Sequence, residues 1–305
     1  MQMRLPEAQG LYNPANEHDN CGIGFVAHIK GKPSHDIVMK GLDVLRNMDH
    51  RGAISADNST GDGAGILLQI PHKFITEVLK VNVGETGKYG TGLVFLPKEE
   101  KEANVCLEVL SKHIKNEGLT LVDYRDVPVD SSAPGEIAKS NEPVIKQVFV
   151  KANYERDTLE RKLYIVRKLV EKEIRDSSLK CKANFYQPSF STKIIVYKGM
   201  LTPDQLRDYY KDFEHEKFES AIALVHSRFS TNTFPTWDLA QPFRIVAHNG
   251  EINTVKGNRL WMQAREALMK SEVFGEDLKK VLPVIEPGKS DSASFDNVLE
   301  FLHMA

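Results

Sequence analysis

Apolar residues recur along this chain at two spacings, alternate positions in some stretches and every third or fourth in others. Residues 21–29 read as a strand. After Gly31, Lys32 and Pro33, Ser34 is placed to cap a helix whose apolar face carries Ile37, Val38, Leu42 and Leu45. A loop is expected from His50 to Asp62, then Ala64 to Ile70 as a buried strand stopped by Pro71. The pattern next predicts a short helix over 73–80, a strand over Gly92–Leu96 and a helix over Lys98–Lys115. Residues 154–176 carry the clearest helical signal, with Leu159, Leu163, Val166 and Val170 opposite a charged face. Short strands are expected at Asn184–Tyr186 and Lys193–Tyr197, and Thr202-Pro203-Asp204-Gln205 is a helix start with its own cap. Ala221–His226 reads as a strand, Arg244–Ala247 as a short apolar run, and Asn258–Met269 as a helix.

Direct strand-to-strand passages mixed with helices predict an α+β layered fold rather than a strictly alternating parallel one. Nothing repeats along the chain and no stretch is of low complexity. The final run, Ser292–His303, has Phe295, Val298, Leu299 and Leu302 on one helical face. No Gly stop or polar tail follows it, so the expectation is a domain truncated at the C-terminus, continuing beyond Ala305.

Of the 305 residues, 41% are hydrophobic and 27% charged, enough apolar material for one large core or two ordinary ones. A net charge of -2 argues against a nucleic-acid binder, which carries a basic excess. No apolar stretch is long enough to span a bilayer, so no membrane partner is expected. Met1–Asn20 holds Pro6, Gly10, Pro14 and acidic residues but no apolar segment of the secretory kind. Three scattered cysteines, Cys21, Cys106 and Cys181, suit a reducing cytoplasm better than a disulfide framework. Histidine and cysteine spacing offers no metal site.

Candidate chemistry gathers at a few places, each with a plain structural alternative. Cys21 is followed by Gly22, which lets another group approach the thiol closely, although an isolated Cys is most often a buried core residue. Cys106 reads as core, and Cys181, between Lys180 and Lys182, as part of a solvated charge run. Gly61-Asp62-Gly63-Ala64-Gly65 lies between a loop and a strand, so it reads as a tight turn near a site and not as a dinucleotide loop. Arg51 has the ordinary reading of a surface ion-pair partner. Arg228 ends a buried strand, where its charge needs an internal carboxylate or a substrate carboxylate. Asn249-Gly250 is either a hairpin turn or an oxyanion hole. Asp291, within Ser290-Asp291-Ser292, belongs to a helix cap or holds a substrate ammonium.

Taken together, Cys21-Gly22-Ile23-Gly24-Phe25, His50-Arg51-Gly52, His226-Ser227-Arg228-Phe229-Ser230-Thr231, His248-Asn249-Gly250-Glu251-Ile252 and Ser290-Asp291-Ser292 resemble the class II glutamine amidotransferases, members of the N-terminal nucleophile hydrolases. The run from Arg228 through Phe234-Pro235-Thr236-Trp237 to Ala240-Gln241-Pro242-Phe243-Arg244 resembles, within that class, the large subunit of the glutamate synthases. The leader Gly10-Leu11-Tyr12-Asn13-Pro14 is similar to that group's propeptide, which implies residues 1–20 as propeptide and 21–305 as an incomplete amidotransferase domain. The resemblance implies a four-layer αββα sandwich and hydrolysis of L-glutamine to glutamate and ammonia. It implies Cys21 as the thioester-forming nucleophile with its freed α-amine as base, inactive until the leader is removed. Asn249 and Gly250 would stabilise the oxyanion, Arg228 and Asp291 would grip the substrate carboxylate and ammonium, and Arg51 would order the nucleophile region.

In a full-length relative the ammonia would pass to further synthase domains, where FMN and a 3Fe-4S cluster serve the reductive amination of 2-oxoglutarate. A small reductase subunit or ferredoxin would supply the electrons. No cofactor and no metal is expected within residues 1–305, and the implied location is cytoplasmic, or plastid for a plant-type homologue. The alternatives are another class II amidotransferase and a module that binds glutamine without turning it over.

Overall fold

The structure, a computed structural model, describes residues 7–11, 13, 22–228, 233–250 and 252–305. Its strands are β1 (Ile23–Ala27), β2 (Ala64–Gln69), β3 (Tyr89–Leu96), β4 (Thr120–Asp126), β5 (Val144–Lys151), β6 (Ile194–Gly199) and β7 (Ile222–Ser227). The α-helices are α1 (His35–Asn47), α2 (Glu100–Asn116), α3 (Glu136–Ser140), α4 (Arg156–Asp176), α5 (Pro203–Tyr209), α6 (Val255–Glu266) and α7 (Asp291–Met304). The strands form one sheet of order β1-β7-β2-β6 and a second of order β3-β5-β4, with antiparallel pairing throughout.

Helix α1 covers the outer face of the first sheet. Its Val38, Leu42 and Leu45 share a core with Ala64, Ile66 and Leu68 of β2 and Ala223 and Val225 of β7. Gly41 lets the helix sit close: a Cβ there would lie 2.5 Å from the Ala223 Cβ. On the far side, α2 and α4 cover the second sheet through Cys106, Leu110, Leu159, Leu163 and Val166, which meet Val94, Val148 and Val150. Strand β3 of the second sheet is bridged to the segment leading into β6, Thr91 to Ser191 and Phe95 to Tyr186. The order helix, sheet, sheet, helix is the α+β four-layer αββα arrangement anticipated above. No helix among the described residues is long and apolar enough to cross a membrane.

Helix starts follow the capping chemistry in the sequence. Ser34 accepts from the Ile37 N–H. Thr202 and Gln205 form a reciprocal capping box. The Ser290 side chain accepts from the Ala293 N–H.

In the short apolar run Arg244–Ala247 the Ile245 and Val246 N–H groups donate to Asp296 Oδ1 at 2.8 and 3.1 Å, so a carboxylate stands where a ladder partner would. Two expectations need correction. At Asn184–Tyr186 the chain instead closes the 3-10 turn Lys182–Asn184 and makes a lone bridge from Tyr186. The helix expected at Asn258–Met269 runs from Val255 to Glu266. Strands β4 and β5 and helix α3 fall between the expected helices at Lys98–Lys115 and at residues 154–176.

Gly41→Ala forces a methyl into the α1–sheet contact, where the Ala223 Cβ is fixed to the backbone. The expected outcome is a loss of about 1–3 kcal/mol in urea unfolding with an unchanged m value.

Candidate active site

Strand β7 lies between β1 and β2, so its end brings three distant segments together. The Ser227 N–H donates to Gly22 O at 2.7 Å, and the Arg228 N–H donates to Gly63 O at 2.8 Å. Cys21 itself lies outside the described residues, but its neighbour Gly22 is buried at this junction. A Cβ on Gly22 would lie 2.5 Å from Asn249 Nδ2 and 2.5 Å from Ser227 O. The residue after the candidate nucleophile is therefore in close contact with the candidate oxyanion donor.

Arg228 is buried. Its guanidinium donates to Asp62 O at 3.4 Å and to Thr233 Oγ1 at 2.8 Å. Burial pulls its pKa below the ordinary arginine value, opposed by the carboxylates of Asp62, Asp238 and Asp291. Of Gly61–Gly65, read from the sequence as a tight turn near a site, Ala64 and Gly65 instead belong to β2, while Asp62 and Gly63 just before it contact Arg228 through their carbonyls. Arg51 closes the 3-10 turn Asp49–Arg51. The following Gly52 is packed so closely that a Cβ would lie 2.8 Å from Ser227 Oγ. Phe229–Asn232 and Glu251, within the motifs quoted above, lie outside the described residues.

Asn249 and Gly250 are exposed at the end of a segment pinned from several sides. Gln241 accepts from the His248 N–H at 2.9 Å and donates to His248 O at 3.1 Å. His226 Nε2 lies 3.0 Å from the same carbonyl. A carbonyl can only accept, so Nε2 carries the proton in this contact. Burial depresses the His226 pKa to about 4, and the ring is neutral near pH 7.

Asp291 is the first residue of α7. Its Oδ1 accepts from the Ser292 N–H at 2.7 Å, and Ser292 Oγ lies 2.8 Å from His248 Nε2. Helix α7 thus meets the Asn249 turn directly, and Asp296 on the same helix holds Ile245 and Val246. Asp291 opens into a groove of about 580 Å³ between α6 and α7, whereas Arg228 lines a separate crevice of about 10 Å³. Asp291 and Arg228 line these two different cavities among the described residues, and the charge of one acts on the other.

Gln241, His226, Ser292 and Asp296 were not assigned roles from the sequence. Gln241 and His226 both lie in runs that the resemblance rests on. Nothing in their spacing shows that they bind backbone. The remaining cysteines are poor ligands: burial raises Cys106 to about 11, and burial also raises Cys181. Among the described residues no three His, Cys, Asp or Glu side chains gather as a metal site.

The family described as "Glutamine amidotransferases class-II" matches residues 21–305. The chain belongs to the class II glutamine amidotransferases. This amidotransferase is similar to the "Glutamate synthase [NADPH] large chain" of Bacillus subtilis, 48% identical over 99% of the chain and 20% of that relative. It is 46% identical to the "Glutamate synthase [NADH]" of Saccharomyces cerevisiae over 98% of the chain and 14% of the relative. The "Ferredoxin-dependent glutamate synthase" of Pyropia yezoensis is 40% identical over 98% of the chain and 20% of its own length. The amidotransferase therefore spans a fifth or less of these relatives.

His226 gives the fold a pH signature. The folded state keeps the ring neutral down to about 4, whereas the unfolded chain takes the proton near 6.5. This contribution is complete above pH 6.5 and is lost as pH falls toward 4, with about 2 kcal/mol gone by pH 5. Chemical denaturation at pH 7 and pH 5 should show that loss beyond what a His226→Gln variant shows.

Proposed function

We propose that the amidotransferase hydrolyses L-glutamine to glutamate and ammonia through a thioester on Cys21, once residues 1–20 have been removed. The observation that carries the reading is the junction of Gly22, Ser227 and Asn249, which sets a thiol-bearing segment against an amide donor. With residues 1–20 removed, Cys21 bears a free α-amine. Its ordinary pKa near ~8 suits it to take the thiol proton, the thiol itself lying near ~8.5. The thiolate attacks the γ-carboxamide carbon, and the resulting oxyanion is held by the Asn249 amide and a Gly250 N–H. Collapse breaks the C–N bond as the α-ammonium returns its proton to the leaving nitrogen. Water, deprotonated by the same amine, then attacks the thioester and releases glutamate.

Substrate recognition rests on charge. Arg228 is presented from a buried position on neutral oxygens, which suits bidentate capture of the α-carboxylate. Asp291, whose charge acts on Arg228, would take the α-ammonium of the same substrate. Arg51, in the turn packed against Ser227, would order the nucleophile segment.

In this reading the ammonia goes on to the synthase domains of a longer chain, for reductive amination of 2-oxoglutarate. The relatives are named glutamate synthases, with NADPH-, NADH- and ferredoxin-dependent forms among them, and each is several times longer than residues 1–305. FMN, the 3Fe-4S cluster and the electron-donating subunit or ferredoxin belong there.

Intact mass of the purified chain should show loss of Met1–Asn20, and a Cys21→Ala variant should retain them. The processed wild type should release ammonia from glutamine, whereas binding of glutamine with no turnover would leave a sensing module instead. Arg228→Lys in the processed chain should raise KM for glutamine by about tenfold or more, because a point charge replaces a bidentate fork. A lysine variant with unchanged KM would remove Arg228 from the substrate site.

A further inference from the structure

We infer that Gln241 is a positioning residue that pre-sets the Asn249-Gly250 oxyanion hole by holding the backbone of His248. The inference rests on the glutaminase reading and assigns a further part in it. Gln241 meets His248 as a neighbouring strand would, its Oε1 accepting the His248 N–H at 2.9 Å and its Nε2 donating to His248 O at 3.1 Å. A single side chain thereby satisfies both polar groups of the peptide segment leading into Asn249. The grip is needed because residues 244–247 join no sheet, so no ladder fixes the turn.

Gln241 is itself held by the core. The Gln241 backbone crosses β2 at Gly65, where a Cβ would lie 2.5 Å from Gln241 O. The preceding Ala240 O accepts from the buried Lys198 Nζ at 2.7 Å, and Asp238 O accepts from it at 2.8 Å. His226 of β7 adds a second partner on His248 O at 3.0 Å. A rigid line thus runs from β2, β6 and β7 through Gln241 to the turn. Preorganised donors act on the developing oxyanion rather than on bound glutamine, so the effect of Gln241 falls on kcat.

The test compares processed wild type with Gln241→Ala and the near-isosteric Gln241→Glu, which keeps an acceptor and loses the donor. Both variants should lower kcat for glutamine hydrolysis by about ten- to a hundredfold, with KM changed less than about threefold. Glutamate semialdehyde, whose thiol adduct carries an oxygen at the oxyanion position, should lose affinity by the same factor as kcat, while L-glutamate binds as before. Amide exchange at His248 should speed up in Gln241→Ala while β7 stays protected, which separates a loosened turn from a loosened fold. An active wild type with equally active variants, or variants whose loss lies in KM, would overturn the positioning role alone. A processed wild type that releases no ammonia would overturn the glutaminase reading and this role with it.

Discussion

Everything at the site depends on the pairing of β7 with two strands at once. β1 and β7 are separated by most of the described chain, yet Ile23 to Ala27 run in unbroken register with His226 to Ile222. β2 takes the other edge, Ala64 opposite Ser227 and Leu68 opposite Ala223. Closing so long a loop costs entropy, growing only slowly with its length, and is offset by burying Ala223 and Val225 under α1. Only one-sided burial fixes the register, because a slip by one residue would turn Val225 outward and His226 into the helix contact. With the register fixed, Gly22, Gly63 and Arg228 have nowhere else to be. At Gly22 and Gly65 the approach is to backbone oxygens, of Ser227 and Gln241, which is why glycine stands there.

A second constraint is ionic. Arg167 of α4, wholly buried, donates to Glu171 at 2.8 Å and also to Glu300 of α7. Arg244 donates to the same Glu171 at 3.0 Å and to Gln187 O at 2.7 Å. Burial pushes the Glu171 carboxyl up, but Arg167 and Arg244 overcome it and hold the group down near 2. Burial keeps Glu300 above its ordinary value despite the same arginines. Such a network adds little net stability over a packed apolar core, whereas removing one partner strands the others at about 3–5 kcal/mol. Its structural product is orientation: α7, locked to α4, presents Asp296 to the 245–246 backbone and Asp291 to the site.

Much of this architecture is legible in the sequence where local chemistry and tertiary structure agree. Ser34, Thr202 with Gln205, and Ser290 announce helix starts because caps act within three residues. The run ending at His226 reads as a strand because it is buried on one face and bounded by polar residues. Strand β5 lacks that one-sided pattern, because Ile145, Gln147, Val148, Phe149 and Val150 are all buried and both of its faces are covered. Strand β4 is harder, since Asp123, Arg125 and Asp126 dilute its apolar content. In the Arg244–Ala247 run the N–H groups of Ile245 and Val246 are satisfied by Asp296, about fifty residues on, and no local pattern encodes that. For the site, the residue types at Arg228, Asn249 and Asp291 suggested their chemistry. Their mutual placement did not follow from spacing, and the residues that hold them, Gln241 and His226, carry no spacing signal at all.

The division of labour between strand end and turn explains why the holding residues are polar rather than apolar. On the proposed reading Asn249 and Gly250 would be oxyanion donors facing space for substrate, which fits their exposure, and no hydrophobic contact can fix them there. Backbone hydrogen bonds from buried groups can, provided those groups do not titrate or repel. Gln241 has no charge, and His226 has lost its own through burial, leaving one N–H to donate. A protonated imidazolium there would keep that donor but add a second positive charge beside Arg228. With His226 neutral, the positive charge at the end of β7 among the described residues is that of Arg228, which on the proposed reading an anionic substrate group would use.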